Sequence, residues 1–459
     1  MPTAFRFKFA DLFAVNQATF FSIVGKIWLL GSGVVTTLLI ARFFTPDLQG
    51  YYYTFNAVLV FQVFAELGLT TVITSFASHE WSKVNLDRNG QVSGDADAIS
   101  RLTSLGEFSL KWYLVAGTAM ALVLIVGGFI FFGTRPTQIA NWREPWVVLC
   151  IVTALNLFLM PVWALLEGCN QVVNIYKFRF VQYVASSLAA WLSIYFEAEL
   201  WVASITGATG LLAMTILVGH RYRMFLTTFF LRKPAGSRLS WREDILPMQW
   251  RIGLSWIGGY FTFALFTPVL FYYHGPVVAG QMGMTWAFVN ALMVLASAWT
   301  APKAPSFGIL IAQRKYLELD RMFGKLTLTV IGLTVAGAIG IWSLVFFLNY
   351  LNYPLASRLL TPSTTAYLLF ASILYSVGLP MSAYLRAHKK EPLMMLSIAH
   401  GVFTAILVVI LGKFYAASGV ALGYLIVTTI VTPLVALIWY RRRVEWHTHP
   451  VPETVSEQS

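Results

Sequence analysis

Apolar windows of about twenty residues recur along all 459 positions, and few charges interrupt them. That length carries an α-helix across a hydrocarbon layer roughly 30 Å thick, and inside lipid only helices or closed barrels satisfy their own backbone hydrogen bonds. The windows are continuous rather than alternating, which excludes a barrel. Only 11% of residues are charged, against about 25% in an ordinary globular domain. The expected fold class is therefore an all-α integral membrane protein.

Hydropathy places twelve transmembrane helices at roughly 20–43, 51–76, 110–133, 146–168, 172–196, 199–220, 250–274, 277–301, 326–348, 363–386, 393–413 and 418–440. With a cytoplasmic N-terminus, 26 of the 32 Lys and Arg residues fall on the inner side, so the positive-inside rule places both termini in the cytoplasm. The net charge of +12 is thus spent on topology and membrane lipids, and no nucleic-acid partner is expected. The expected organisation is an N-terminal lobe over 1–220, a basic cytoplasmic linker over 221–249, a C-terminal lobe over 250–440 and a tail over 441–459. Ile99, Leu102, Leu105 and Phe108, spaced by three, predict an amphipathic helix after a polar inner loop. Cys150 and Cys169 fall near opposite ends of one helix, too far apart to pair.

Two internal echoes relate a span to the one six later. Pro46-x-x-x-Gly50, between the first two spans, returns as Pro276-x-x-x-Gly280 between the seventh and eighth. Pro161, six residues before Glu167, returns as Pro380, six before Arg386. The lobes are therefore expected to be two six-helix pseudo-repeats, an arrangement used by transporters. Pro161 and Pro380 each remove a helical hydrogen bond in mid-span, making them hinge candidates, either as static kinks or as bending sites.

Charge inside an apolar span is costly, about 2.5–3.5 kcal/mol per residue on insertion scales, so intramembrane charges point to function. Lys26 lies in the first span and Glu66 in the second, at depths that would let them meet. They read either as a structural pair or as a phosphate-attracting cation beside a proton or cation acceptor. Arg42 closes the outer end of the first span. Lys177, Arg179 and Arg251 lie at inner ends of the fifth and seventh spans, as topology anchors or as a basic rim for an anionic headgroup. His274 and His400 are single and read as packed, hydrogen-bonded histidines. His447 and His449 lack a third ligand, so no metal site is expected. Trp142, Trp146 and Tyr350 read as interfacial aromatics, and Trp256 and Tyr260 as possible sugar-stacking rings. At the Glu66 register of the second Pro-x-x-x-Gly copy stands Ala296.

The Thr45-Pro-Asp-Leu-Gln-Gly50 corner, the aromatic run Tyr51–Tyr53 and Glu66-Leu-Gly-Leu69 resemble the opening hairpin of polysaccharide transport proteins. These include the Wzx-type O-antigen flippases of the multidrug/oligosaccharidyl-lipid/polysaccharide (MOP) exporter superfamily. Glu167-Gly-Cys-Asn170 and Arg386-Ala-His-Lys389 resemble that family's inner turns. The resemblance implies a two-lobed bundle in the bacterial inner membrane that flips lipid-linked (undecaprenyl-pyrophosphate) oligosaccharide units by alternating access for surface polysaccharide biosynthesis. The expected headgroup residues are then Lys26, Arg42, Arg179 and Arg251, with Glu66 as the coupling candidate, proton or sodium coupling in place of any cofactor, and a polymerase and chain-length regulator as possible partners. The Arg-rich cavity helices of some lipid-precursor flippases are absent from this sequence. The alternatives are a cation-coupled multidrug antiporter of the same superfamily and, less in keeping with its short, acid-poor outer loops, a membrane enzyme acting on the same glycans.

Overall fold

A computed structural model describes residues 3–86, 92–134, 141–231, 236–300, 303–388 and 390–448. In chain order the long elements are α1 (Thr3–Phe43), α2 (Pro46–Leu59), α3 (Val63–Glu66) and α4 (Leu69–Trp81). A hairpin of β1 (Val84–Leu86) and β2 (Val92–Gly94) follows, then α5 (Ala96–Gly133), α6 (Arg143–Gly168), α7 (Val172–Tyr195), α8 (Trp201–Arg221) and α9 (Arg223–Leu226). The remainder is α10 (Leu246–Phe263), α11 (Phe266–His274), α12 (Pro276–Thr300), α13 (Ala304–Ala312), α14 (Tyr316–Tyr350), α15 (Pro362–Ala387) and α16 (Met394–Thr448).

Among the described residues eight helices are long and apolar enough to cross a membrane, nine if the pair Pro46–Glu66 and Leu69–Trp81, bent by 46°, counts as one span. Three features separate this from twelve apolar windows. Lys177 and Arg179 dilute α7, the 250–274 window is cut by a turn between α10 and α11, and α16 joins two helices across Tyr415 and Ala416, the latter at φ 51°. α6 and α15 run on through Pro161 and Pro380. The breaks lie elsewhere, at Leu67–Gly68, between α10 and α11, and at Tyr415–Ala416.

The chain forms two compact units, residues up to Tyr260 with Gly275–Gly280, and Phe261–His274 with Gln281 onward. The first unit is built around Tyr51, Phe55, Phe132 and Trp146, all fully buried, with the Phe55 ring 4.9 Å from both Phe132 and Trp146. Trp146, near the start of α6, faces the protein interior. Its indole is spent on the Leu124 carbonyl at 3.0 Å, against the bare backbone of Gly128, where any side chain would overlap the ring. Tyr350, in contrast, is largely exposed. α1 lies along α7 through Trp28, whose indole donates to Ser187 at 3.0 Å, and Thr36, which accepts from Trp191 at 3.0 Å.

The expected amphipathic helix after the inner loop is the first third of α5, capped by Asp95, which accepts from the Ala98 amide at 2.9 Å. Leu102 and Leu105 are buried beneath the basic stretch that follows α8. That stretch is held down: Phe229 packs on the backbone of Gly106, the Gly236 amide donates to Ser100 at 2.8 Å, and Ser237 donates to Asp97 at 3.2 Å. The strands of the preceding hairpin, paired antiparallel through Asn85 and Ser93, were not legible from hydropathy.

In the second unit, Phe307, Phe323, Tyr384 and their neighbours pack α13, α14 and α15 together, with Trp439 of α16 stacked on Phe323 at 4.7 Å. Ala296 is buried in this cluster. At the inner end Arg443 grips Asp320 through two nitrogens, at 3.0 and 2.5 Å, and the Tyr384 hydroxyl donates to the same carboxylate at 3.1 Å.

Candidate functional site at the broken second helix

α2 starts well because Thr45 caps it, accepting from the Leu48 amide at 3.2 Å, with Pro46 at the first helical position. It ends poorly. After Leu59 the ladder tightens into a 3₁₀ turn, Val60–Gln62, and one α-turn later Leu67 and Gly68 both enter the left-handed region at φ 46° and 69°. Gly68 adopts that conformation freely, whereas Leu67 pays for its Cβ there, roughly 1 kcal/mol or more. Strain of this kind persists only where surrounding structure enforces it. Here Gly253 of α10 lies against Leu67, close enough that a Cβ would stand 3.1 Å from the Leu67 carbonyl oxygen.

Glu66 is the last residue before this break and is only 6% exposed. Thr70, the second residue of α4, donates its hydroxyl to the carboxylate. The Trp112 indole of α5 donates to the neighbouring Ala65 carbonyl at 3.2 Å, which satisfies an acceptor freed by the break. Tyr113, fully buried, brings its phenol within electrostatic reach of Glu66. Trp241, from the basic stretch, stacks on Trp112 at 6.1 Å and seals this side of the site. The carboxylate therefore lies between two helix ends of opposite sign: the α4 amides favour its charge, while the α3 carbonyls favour a proton or small cation beside it. A buried, singly hydrogen-bonded carboxylate at a helix break is equipped to bind and release a proton or a monovalent cation.

Lys26 does not pair with Glu66: no ion pair to either is present among the described residues, and Lys26 is exposed. Its helical phase accounts for this. Trp28 and Thr36 face α7, and Lys26 is turned about a third of a circle from the centre of that face, in phase with Thr37 and with Phe44 eighteen residues on. Thr37 is buried, and Phe44, just beyond α1, contacts the Tyr52 ring of α2 at 5.9 Å. Arg42 is exposed, its guanidinium 5.7 Å from the Phe43 ring. Arg179 is engaged by Glu167, the ion pair closing the turn between α6 and α7. Arg251 lies in α10, but its side chain, like that of Trp256, lies outside the described residues. Tyr260 packs its ring on Phe61 and Phe64, at 6.0 and 5.1 Å. Among the described residues no three His, Cys, Asp or Glu side chains gather as a metal site. Sequence reasoning found Glu66 by its cost; it missed Trp112, Tyr113 and Trp241, which only the fold brings to it. The one available signal for the break was Gly68 directly after the acid.

No family model matches the sequence, and no curated protein matches it. Solved structures do. An inward-facing multidrug resistance MATE family transporter of the MOP superfamily superposes with a TM-score of 0.67 at 12% identity, covering 92% of this chain and 96% of the other. The lipid II flippase MurJ in an inward closed conformation gives 0.62 at 13% identity, covering 94% and 89%. A MOP superfamily transporter from Pyrococcus furiosus gives 0.60 at 14%, covering 95% and 96%. The chain thus has the fold of MOP superfamily transporters over nearly its whole length.

Proposed function

We propose that this chain is an alternating-access transporter of the bacterial inner membrane, with twelve spans and both termini cytoplasmic, that flips lipid-linked oligosaccharides carrying an anionic pyrophosphate headgroup. The observation that carries the reading is the contrast between Lys26 and Glu66. The ammonium is displayed and unpaired on an apolar helix, whereas the acid is buried and held by Thr70. A site built for organic cations would present the acid to its substrate; this one presents the base. Lys26 and Arg42 then meet phosphate as charge-assisted donors. Arg251 serves the same headgroup at the inner end, and Arg179 does so to the extent that phosphate displaces Glu167. Glu66 exchanges a proton or sodium ion with the cycle, and Pro161 and Pro380 supply bending. Such a flippase would hand its cargo to a polymerase and a chain-length regulator of polysaccharide assembly.

A MATE-like cation antiporter is the second reading, favoured by Glu66 itself, a carboxylate in the first unit available to a cation once Thr70 lets go. Reconstitution separates the two. Proteoliposomes loaded with lipid-linked oligosaccharide labelled on one leaflet should show label on the other only when the protein is present. Transport of the dye rhodamine 6G without any movement of the glycolipid would replace the first reading with the second.

A further inference from the structure

His400, in the first half of α16, has its ring 5% exposed and both nitrogens engaged. Nε2 lies 3.3 Å from the Thr428 hydroxyl, in the second half of the same element, and Nδ1 lies 3.3 Å from the Thr262 hydroxyl of α10. Thr428 has one proton to give and gives it to the Tyr424 carbonyl at 2.8 Å. Toward His400 it can only accept, so Nε2 carries the hydrogen. A neutral imidazole with its hydrogen on Nε2 has its basic lone pair on Nδ1, which faces Thr262. The hydroxyl oxygen there can accept from Nδ1 once that atom is protonated. At 3.3 Å both contacts have room to shorten toward the roughly 2.7–2.9 Å of a charge-assisted bond.

The surroundings offer oxygen and no fixed charge. Thr404, one turn along from His400 and fully buried, has a hydroxyl without a partner. The Tyr375 and Tyr424 rings stand 6.1 and 6.5 Å from the imidazole, and the Tyr424 hydroxyl makes no hydrogen bond of good geometry. Tyr375 of α15 and Tyr424 of α16 are the titratable groups that face the ring; among the described residues, no Asp, Glu, Lys or Arg of α10, α15 or either half of α16 acts on it. A histidine needed only for packing would not require a surplus of buried hydroxyls, because each unpaired one costs about 1–3 kcal/mol. The Thr262 oxygen lies within reach of the basic nitrogen itself, and the other buried hydroxyls make its surroundings polar.

Position gives the proton a consequence. Thr262 is the second residue before the turn that separates α10 from α11, and the two halves of α16 meet at the other backbone break of this unit. We propose that His400 is a proton-binding site of the C-terminal unit, taking up a proton on Nδ1 and so tying protonation to the bend of α10. This rests on the transporter reading and adds to it a second coupling site in the half of the molecule that lacks a counterpart of Glu66. The proton adds to the Nδ1 lone pair and leaves from the same atom, with no other bond made or broken.

The test uses the full chain in lipid nanodiscs with ring-¹⁵N-labelled histidine. The chain has seven histidines. The His400 signal is the one missing from His400→Gln, whose amide can still meet both threonines, or, should that variant not fold, the one that survives every single replacement of the other six. The expected result is an Nε2–H tautomer at high pH whose Nδ1 becomes protonated as the pH is lowered while the protein stays folded. A ring that stays neutral at every pH where the protein is folded, or that carries its hydrogen on Nδ1, overturns the proposal. In proteoliposomes with lipid-linked oligosaccharide, His400→Gln should keep its thermal transition and lose about tenfold of the stimulation given by a pH gradient. Full stimulation in the variant removes the proton site and leaves the flippase standing. A wild-type protein that moves no glycolipid removes the flippase reading, and the titration alone then decides the site.

Discussion

The side-chain amide of Gln49 donates to the backbone carbonyl of Gly280 at 2.9 Å, joining the two Pro-x-x-x-Gly corners that the sequence repeats 230 residues apart. Gly50 makes the approach possible: any side chain there would overlap the Pro276 backbone, and a Cβ on Gly280 would stand 2.9 Å from the Gly50 amide nitrogen. Gly50→Ala should therefore destabilise the protein by about 1–3 kcal/mol through overpacking. Gly31→Ala and Gly127→Ala, where nothing lies within 4 Å of the added carbon, are the controls and should leave the thermal transition unmoved or slightly raised. Equal losses at all three glycines would show that the corner contact does not matter.

Lys26→Ala should weaken glycolipid transport by about 10- to 100-fold in kcat/KM, the worth of one hydrogen bond to a charged group, while Lys26→Arg keeps most of it. Because Lys26 has no ion-pair partner, its loss should not lower stability. Arg179→Ala should do the reverse, lowering the melting temperature because it strands the half-buried Glu167. Melting curves and transport rates on the two variants check the pair together.

Glu66→Gln keeps an acceptor for the Thr70 hydroxyl and removes the charge. It should fold normally and lose the dependence of transport on a pH or sodium gradient. Thr70→Val leaves the carboxylate unsatisfied and should cost about 1–3 kcal/mol of stability. Gradient-driven transport that survives unchanged in Glu66→Gln would move coupling away from this helix break.

Arg443 and Asp320 are each about one-third exposed, so a double-mutant cycle with Arg443→Gln and Asp320→Asn should return a coupling energy near 1 kcal/mol rather than the larger values of buried pairs. Chemical denaturation in mixed micelles would supply the four stabilities.

Cys150 and Cys169 are both buried and unpaired, so the native protein should react little with membrane-impermeant thiol reagents. Arg238→Cys, at an exposed position in the stretch docked on α5, should label from the cytoplasmic side alone. Labelling from the outer side would reverse the proposed orientation.

Hydropathy located the apolar helices because a bilayer demands continuous runs, and it located Glu66 because charge within such a run is conspicuous. It could not see that Lys26 is left exposed while Glu66 is buried, since α1 is phased by indole-to-hydroxyl bonds with α7, a helix more than a hundred residues away. Proline was expected to kink α6 and α15, which continue as helices through Pro161 and Pro380; the helical ladder is interrupted at Leu67 and Ala416, which take positive φ angles. The repeat of Pro-x-x-x-Gly was legible as a pattern, and its physical cause, the close approach of two backbones, was not. Histidine 400 looked like a lone packed ring because its threonines come from segments 138 positions before it and 28 after it.

The indole that closes the Ala65 carbonyl is synthesised 47 residues after it. The second helix therefore cannot satisfy that carbonyl in this way until α5 has been made. The break in the second helix thus depends on a side chain from α5, and that indole is in turn stacked on Trp241 from the stretch beyond α8.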